Sequence, residues 1–188
     1  MPPSLTSWLK ALNQTLFTPP CPLCNAPLKP GSLLCVSCWE ALPTLPNIAL
    51  QPDYTVAYAF PYVAPIRDLI VSVKFRRSLA DSHLLGQLVA HRLAPRITDK
   101  PQALFPVPLH PQRLRTRGFN QALELAKPLA IALNCPIKTD YVIRTKATLA
   151  QSRLKALDRQ SNIQQAFAIT KLIPYRHIAL FDDVITTG

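Results

Sequence analysis

No stretch of this 188-residue chain approaches the ~20 consecutive apolar residues that a helix needs to cross a bilayer, so no membrane span is expected. The segment Met1 to Phe17 lacks the basic start, the unbroken apolar stretch and the small-residue cleavage site of a secretory signal, which reads as an unprocessed, cytoplasmic protein. Internal repeats and low-complexity tracts are missing too, which excludes solenoid and array architectures. Acidic residues are scarce: 10 Asp and Glu stand against 21 Lys and Arg, for a formal net charge of +11. That balance favours polyanionic partners, either nucleic acid or a phosphorylated small molecule, and leaves the fold open. Charged residues make up 16% of the chain and hydrophobic ones 48%, enough apolar material to bury a core and too much for a disordered chain. The length suits one α/β domain with a small appendage.

Five cysteines are present, and four fall into two C-x-x-C pairs, Cys21-Pro-Leu-Cys24 and Cys35-Val-Ser-Cys38. Without a secretory signal, a reducing compartment argues against a disulfide framework. Each pair makes a tight turn that aims two thiolates at one point, and two such turns complete a tetrahedral site. Cys21, Cys24, Cys35 and Cys38 are therefore the expected ligands of a structural zinc ion, with iron as the alternative metal. Four sulfurs leave no position for a reacting water. With little apolar content between Pro20 and Trp39, metal binding would supply much of the local folding energy, with Leu34 and Trp39 packed beside it. Cys135, alone at an apolar helix end, reads as a buried structural thiol. His83, His91, His110 and His177 show no ligand spacing and are assigned to no metal.

Hydrophobic periodicity predicts the remaining elements. Leu5, Trp8, Leu9, Leu12 and Leu16 recur at helical spacing over residues 4–17. Pro43, Pro46 and Pro52 are expected to prevent regular structure in a connector at 43–52, which sets an N-terminal helix and knuckle at 1–50 apart from a domain at 51–188. Beyond it, Thr55–Phe60 predicts a strand, and Pro65 opens a helix whose apolar positions are Ile66, Leu69, Ile70 and Val73. Residues 79–93 predict a helix, Ala103–Val107 a buried strand, Gly118–Leu133 a helix and Ile178–Phe181 a central parallel strand. Strands alternating with helices imply an α/β domain with a mostly parallel sheet flanked by helices.

The most informative run is Ile178-Ala-Leu-Phe-Asp-Asp-Val-Ile-Thr-Thr-Gly188. An apolar strand delivers two adjacent acids, two more apolar residues and then Thr-Thr-Gly, at the sheet edge where open α/β folds bind ligands. Asp182 and Asp183 can accept hydrogen bonds from vicinal hydroxyls. Thr186, Thr187 and Gly188 offer hydroxyl and backbone N–H donors in a nest that suits phosphate. A diol reader beside a phosphate cup describes a ribose 5-phosphate site.

This run resembles the phosphoribosyl pyrophosphate motif of the type I phosphoribosyltransferases, and the chain as a whole is similar to the ComF branch of that superfamily. Four further segments carry the resemblance in order: the four paired cysteines; Ile70-Val-Ser-Val-Lys-Phe75; Pro106-Val-Pro-Leu-His-Pro111 with Arg113-Leu-Arg-Thr-Arg-Gly-Phe-Asn-Gln121; and Arg144-Thr-Lys146 through Gln151 to Arg159 and Asn162. The resemblance implies a phosphoribosyltransferase-like fold, phosphoribosyl pyrophosphate as ligand and Mg²⁺ accompanying it. It places Val107 and Pro108 in the pyrophosphate loop and gives site roles to Arg117, Asn120 and Gln121. It makes Arg144 to Arg159 a cationic lid, with Arg144 and Lys146 at its start. Transfer from such a substrate needs no nucleophilic Ser or Cys, and none is proposed. Proteins of this branch are tied to DNA uptake in natural competence, which implies single-stranded DNA or competence machinery proteins as partners. The alternative is a non-catalytic competence module that binds single-stranded DNA and uses phosphoribosyl pyrophosphate as ligand or regulator. The chain departs from the family pattern at Gly188, inside the phosphate loop, where relatives continue into a helix. An incomplete 5-phosphate site is therefore expected, from a fragment or a truncated copy.

Overall fold

The computed structural model describes residues 19–45, the backbone of 48–50, and residues 54–146 and 166–185. The expected helix at 4–17, the lid from 147 onward, and Thr186, Thr187 and Gly188 lie outside the described residues. The chain divides into two compact units between Thr44 and Leu45.

The first unit is built on turns. Cys21 N–H donates to the Ala26 carbonyl at 2.7 Å and Asn25 N–H to the Cys21 carbonyl at 2.8 Å, closing a loop in which Asn25 takes a left-handed φ of 62°. Asparagine tolerates that region better than most side chains. A second turn passes through Gly31 at φ 80°, where a Cβ would add strain. Helix α1 (Val36–Glu40) follows, with Cys35 as its N-cap. Leu28, Leu34 and Leu42 are buried, so the apolar core of this unit is small.

In the second unit, strand β1 (Ile48–Leu50) pairs antiparallel with β2 (Thr55–Ala57). Regular structure thus enters the connector expected to be irregular. The prolines explain why: Pro46 and Pro52 flank the strand, and every residue from 48 to 50 keeps its backbone N–H. Helix α2 (Ile66–Val71) buries Ile66, Leu69 and Ile70 and runs straight into a π-helical turn at Ser72–Arg76. Helix α3 (Leu79–Leu93) starts at Ser78, whose hydroxyl accepts from Asp81 N–H. Strand β3 (Ala103–Pro106) is buried throughout. It is followed by α4 (Pro111–Arg117), α5 (Gln121–Leu133), β4 (Val142–Arg144), β5 (Phe167–Ile169) and β6 (Ile178–Phe181).

The core forms where α3 meets α5. Leu84, Leu85 and Leu88 of α3 and Leu125, Leu129 and Leu133 of α5 are buried, and Gly86 of α3 faces Leu125 and Pro128 of α5. A Cβ there would stand 3.1 Å from both the Leu125 carbonyl oxygen and Pro128 Cγ, so any larger side chain makes the neighbouring helix give by a few tenths of an ångström. Strand β3 pairs in parallel with β6, Ala103 opposite Ile178 through Pro106 opposite Phe181. On its other edge, Leu104 accepts from Lys138 N–H and donates to the Pro136 carbonyl, each at 2.9 Å. The interior strand is therefore β3. Strand β6, expected to be central, is paired on one edge among the described residues, and Leu180 is 71% exposed. The α/β class holds, but in place of one mostly parallel sheet the described strands form three two-stranded sheets: β3 and β6 pair in parallel, whereas β4 with β5 and β1 with β2 pair antiparallel.

A second difference concerns the arginine segment. The helix expected from Gly118 onward starts at Gln121, and Gly118 instead ends α4 at φ 89°. Pro111 at the first turn and Gly118 past the last are the start and stop signals of a short helix that periodicity alone passes over. Arg113, Arg115 and Arg117 thus lie on a short helix. No helix among the described residues is long and apolar enough to cross a membrane.

Candidate functional site

The four paired cysteines converge. Their sulfurs all lie within 4.8 Å of one another, and Cys24 Sγ stands 3.5 Å from Cys35 Sγ. A tetrahedral zinc ion with Zn–S bonds of ~2.3 Å sets its sulfurs ~3.8 Å apart, so the donor set fits such an ion with sub-ångström adjustments. Cys38 N–H points at Cys35 Sγ at 3.5 Å, the kind of backbone support that orients a thiolate. The electrostatics favour a cation in the centre. Desolvation works to raise the Cys21 thiol, but backbone N–H groups of Cys35, Leu23 and Cys24 outweigh it and bring it down to about 6. Cys38 is pushed up to about 12, first by the neighbouring Cys24 side chain and then by desolvation and Cys35. Once one thiol ionises, its neighbours resist; a divalent ion reverses that resistance. The cluster can hold a metal ion, and its four sulfurs close the coordination shell. Among the described residues, no other group of His, Cys, Asp or Glu converges in this way. Cys135 is half-buried, and burial raises its thiol.

The second unit gathers polar groups at the carboxyl ends of β3 and β6. Leaving β6, the chain presents Asp182 and Asp183 in succession. Lys74 Nζ lies 2.8 Å from Asp183 Oδ2, off the line a hydrogen bond requires, so the pair is held by charge. The Asp183 side chain is 6% exposed and that of Lys74 23%. Asp182 turns back on its own backbone, Oδ1 accepting from Asp183 N–H at 2.8 Å. Although Asp182 keeps surface open to solvent, crowding on its protein side makes desolvation the leading cause that pushes its carboxyl up to about 7, with the Asp183 charge second.

Around these acids stand the residues singled out in the sequence. Val107 N–H donates to the Phe181 carbonyl at 2.9 Å, and the Val107 carbonyl accepts from Asn120 Nδ2 at 3.1 Å. Val107, just before Pro108, is thus held through both its backbone groups. Asn120 also caps α5, its Oδ1 accepting from Ala122 N–H at 3.1 Å. Arg117 Nη1 donates to the buried Gln121 Oε1 at 2.5 Å. Burial lowers the Arg117 guanidinium, with Asp183 opposing that shift and Arg113 adding to it. Arg144 was expected to open a lid loop; instead it ends β4, paired with Phe167, and its guanidinium sits 5.2 Å from the centre of the Phe167 ring. Burial lowers it too, Arg113 reinforcing and Asp182 opposing. Lys146 is exposed just beyond the strand. Hydrogen bonds and charge therefore link Val107, Arg117, Asn120, Gln121, Arg144, Asp182 and Asp183. Arg113 was legible as one of three closely spaced arginines but was given no site role, and Lys74 escaped sequence reasoning. Arg113 sits close enough to shift both Arg117 and Arg144. Lys74 lies inside the Ile70–Phe75 segment, where a cation set between Val73 and Phe75 was the available signal.

A mixed α/β protein with a four-cysteine cluster able to hold a metal ion and a polar strand-end site is the class these features define. Comparison with known proteins narrows it. The chain is 34% identical over 172 residues to the DNA utilization protein YhgH of Shigella flexneri, covering 89% of this chain and 72% of that one. It is 31% identical over 198 residues to the protein of the same name from Salmonella typhimurium, covering 83% of that relative. Competence protein F of Haemophilus influenzae matches at 33% over 177 residues, covering 90% of this chain and 74% of the relative. The chain belongs to the ComF family. No protein-family model and no solved structure matches it.

Proposed function

We propose that this chain binds phosphoribosyl pyrophosphate at the carboxyl ends of β3 and β6, as a phosphoribosyltransferase-like protein that serves DNA uptake, with zinc in its cysteine cluster. One observation carries the first part: two acids leave a parallel strand beside the partly buried guanidinium groups of Arg117 and Arg144. Carboxylates suit vicinal hydroxyls, and guanidinium forks suit pyrophosphate oxygens. In transfer, the bond from ribose C1 to the pyrophosphate oxygen breaks as an acceptor bonds to C1. The protein's part is positioning and neutralising the leaving charge. Arg117, Arg144 and Lys146 would take that charge, with Mg²⁺ accompanying the substrate. The turn at Val107 and Pro108 would face the pyrophosphate, and Thr186, Thr187 and Gly188 would cup the 5-phosphate. The printed names of the relatives, DNA utilization protein and Competence protein F, support the link to DNA.

A second reading, a single-stranded-DNA-binding module with phosphoribosyl pyrophosphate as regulator, is favoured by the net +11 charge and the three arginines of α4. Calorimetric titration with phosphoribosyl pyrophosphate and Mg²⁺ tests the shared core of both. Binding is expected, and its absence from the wild-type chain refutes the site. Pyrophosphate release with a panel of amine and base acceptors then separates enzyme from module.

A further inference from the structure

We infer that Lys74 is a positioning residue of this site: its ammonium group tethers the Asp183 carboxylate to the π-helical turn at Ser72–Arg76, which leaves ligand hydroxyls to Asp182. The two adjacent acids look equivalent in sequence but are not so in space. The Asp183 side chain is 6% exposed and lies 2.8 Å from Lys74 Nζ, with the charge of Arg117 also in reach, while the residue as a whole is half-buried. A carboxylate so enclosed has little surface left for a ligand. Asp182 is exposed, and the charge of Arg144 reaches it. Of the two, it is the one a sugar can approach.

Lys74 is itself held in place from behind. The turn that carries it is closed by Arg77 in a left-handed conformation at φ 57°. Ser72 Oγ donates to Asp81 Oδ2 at 2.5 Å, and Asp81 N–H donates to Ser78 Oγ at 3.1 Å, which ties the turn to the first residues of α3. π-Helical turns inside helices recur at functional sites because the wider turn redirects a side chain. Here the redirected side chain is a lysine that reaches the end of β6 from a segment more than 100 residues earlier in sequence. Exposed lysine–carboxylate pairs contribute little, but a buried carboxylate left without its cation is strongly disfavoured. The tether therefore fixes the backbone from which Asp182 projects.

The assignment of Asp182 to ligand hydroxyls rests on the phosphoribosyl pyrophosphate reading; the tether does not. The experiment is a double-mutant cycle on the full chain, with urea unfolding and calorimetric titration of phosphoribosyl pyrophosphate with Mg²⁺ as separate readouts. Lys74→Met and Asp183→Asn are each expected to lower the urea midpoint and to weaken binding about tenfold or more. Their combination is expected to be no worse than the worse single change, since each removes the same pair. Lys74→Arg should restore both readouts, which a merely space-filling side chain would not do. Asp182→Asn should weaken binding about tenfold while leaving the urea midpoint unchanged or higher. If Lys74→Met does not fold, the combined variant, which leaves no unpaired charge, carries the test and is expected to fold. Additive losses in the cycle overturn the tether, as does a combined variant that fails to fold while Asp183→Asn folds. Full affinity in Asp182→Asn, with affinity lost and the midpoint unmoved in Asp183→Asn, overturns the division between the acids. A wild-type chain that binds no phosphoribosyl pyrophosphate removes the proposed ligand and the role of Asp182 with it; the urea cycle still decides the tether.

Discussion

Replacing Cys24 by serine is expected to strip the cysteine cluster of its metal and to loosen residues 19–44. The magnitude follows from how little else holds this unit. Its buried apolar side chains among the described residues are Leu28, Leu34 and Leu42 with the Cys21 side chain, and each buried leucine contributes ~1.5–3 kcal/mol. A structural zinc ion contributes ~10–16 kcal/mol at neutral pH, more than the leucines together. Outer-shell changes around a metal already cost 10–100-fold in affinity, so loss of a direct sulfur ligand should exceed ~100-fold. Elemental analysis of protein purified without added metal should find one zinc ion per wild-type chain and far less in Cys24→Ser. Limited proteolysis should then cut the variant within 19–44 while the second unit survives. Acid should act in the same direction. Four thiols must lose their protons to bind the ion as thiolates, so lowering the pH returns protons and releases it. A wild-type chain that is free of metal and still protected across 19–44 refutes the reasoning, and so does a Cys24→Ser variant that keeps its full metal content.

Asp182 should leave a signature in stability against pH. Its folded value of about 7 exceeds the ordinary carboxylate value of 3.8, so between these limits the folded chain binds more protons than the unfolded one. Stability is therefore lost as pH rises from about 4 to about 7. Asp182→Asn should flatten that slope and melt higher than the wild type at pH 8 in ligand-free protein; an unchanged slope would rule the assignment out. Gly86→Val should destabilise the second unit by ~1–3 kcal/mol, because the added methyls meet the Leu125 carbonyl and the rigid Pro128 ring at the crossing of α3 and α5. Thermal melting reads this directly, and an unchanged melting temperature would show that the helices can part there.

Several elements were legible because their signals are local. The period of Leu84, Leu85, Leu88 and Leu93 predicts α3 with the bounds observed, 79–93. The run Ala103–Val107 predicts a buried strand, observed over Ala103–Pro106, and the apolar run Ile178–Phe181 one that pairs in parallel. Two C-x-x-C pairs predict convergence on one point because each turn is short enough to aim its own thiols. Elements whose existence depends on a distant partner were less legible. Strand β1 forms because β2 satisfies its backbone groups, not because Ile48-Ala49-Leu50 stands out beside Pro46 and Pro52. Arg144 became a strand residue because Phe167, across a gap of 22 residues, pairs with it.

The sequence by itself determined which chemistry the chain carries: the four thiols, the paired acids after an apolar strand, and the excess of arginine and lysine. Those follow from residue identity and short spacing, where the backbone has few ways to arrange itself. Only the tertiary structure decided how that chemistry is divided. The chain bends as it leaves β6, Asp182 accepting from Asp183 N–H, so the Asp183 side chain turns inward to Lys74 while Asp182 stays at the surface. No local pattern links Lys74 to Asp183. Their meeting depends on the packing of α2, the π-helical turn and β6 around one core, and charge burial makes that meeting matter.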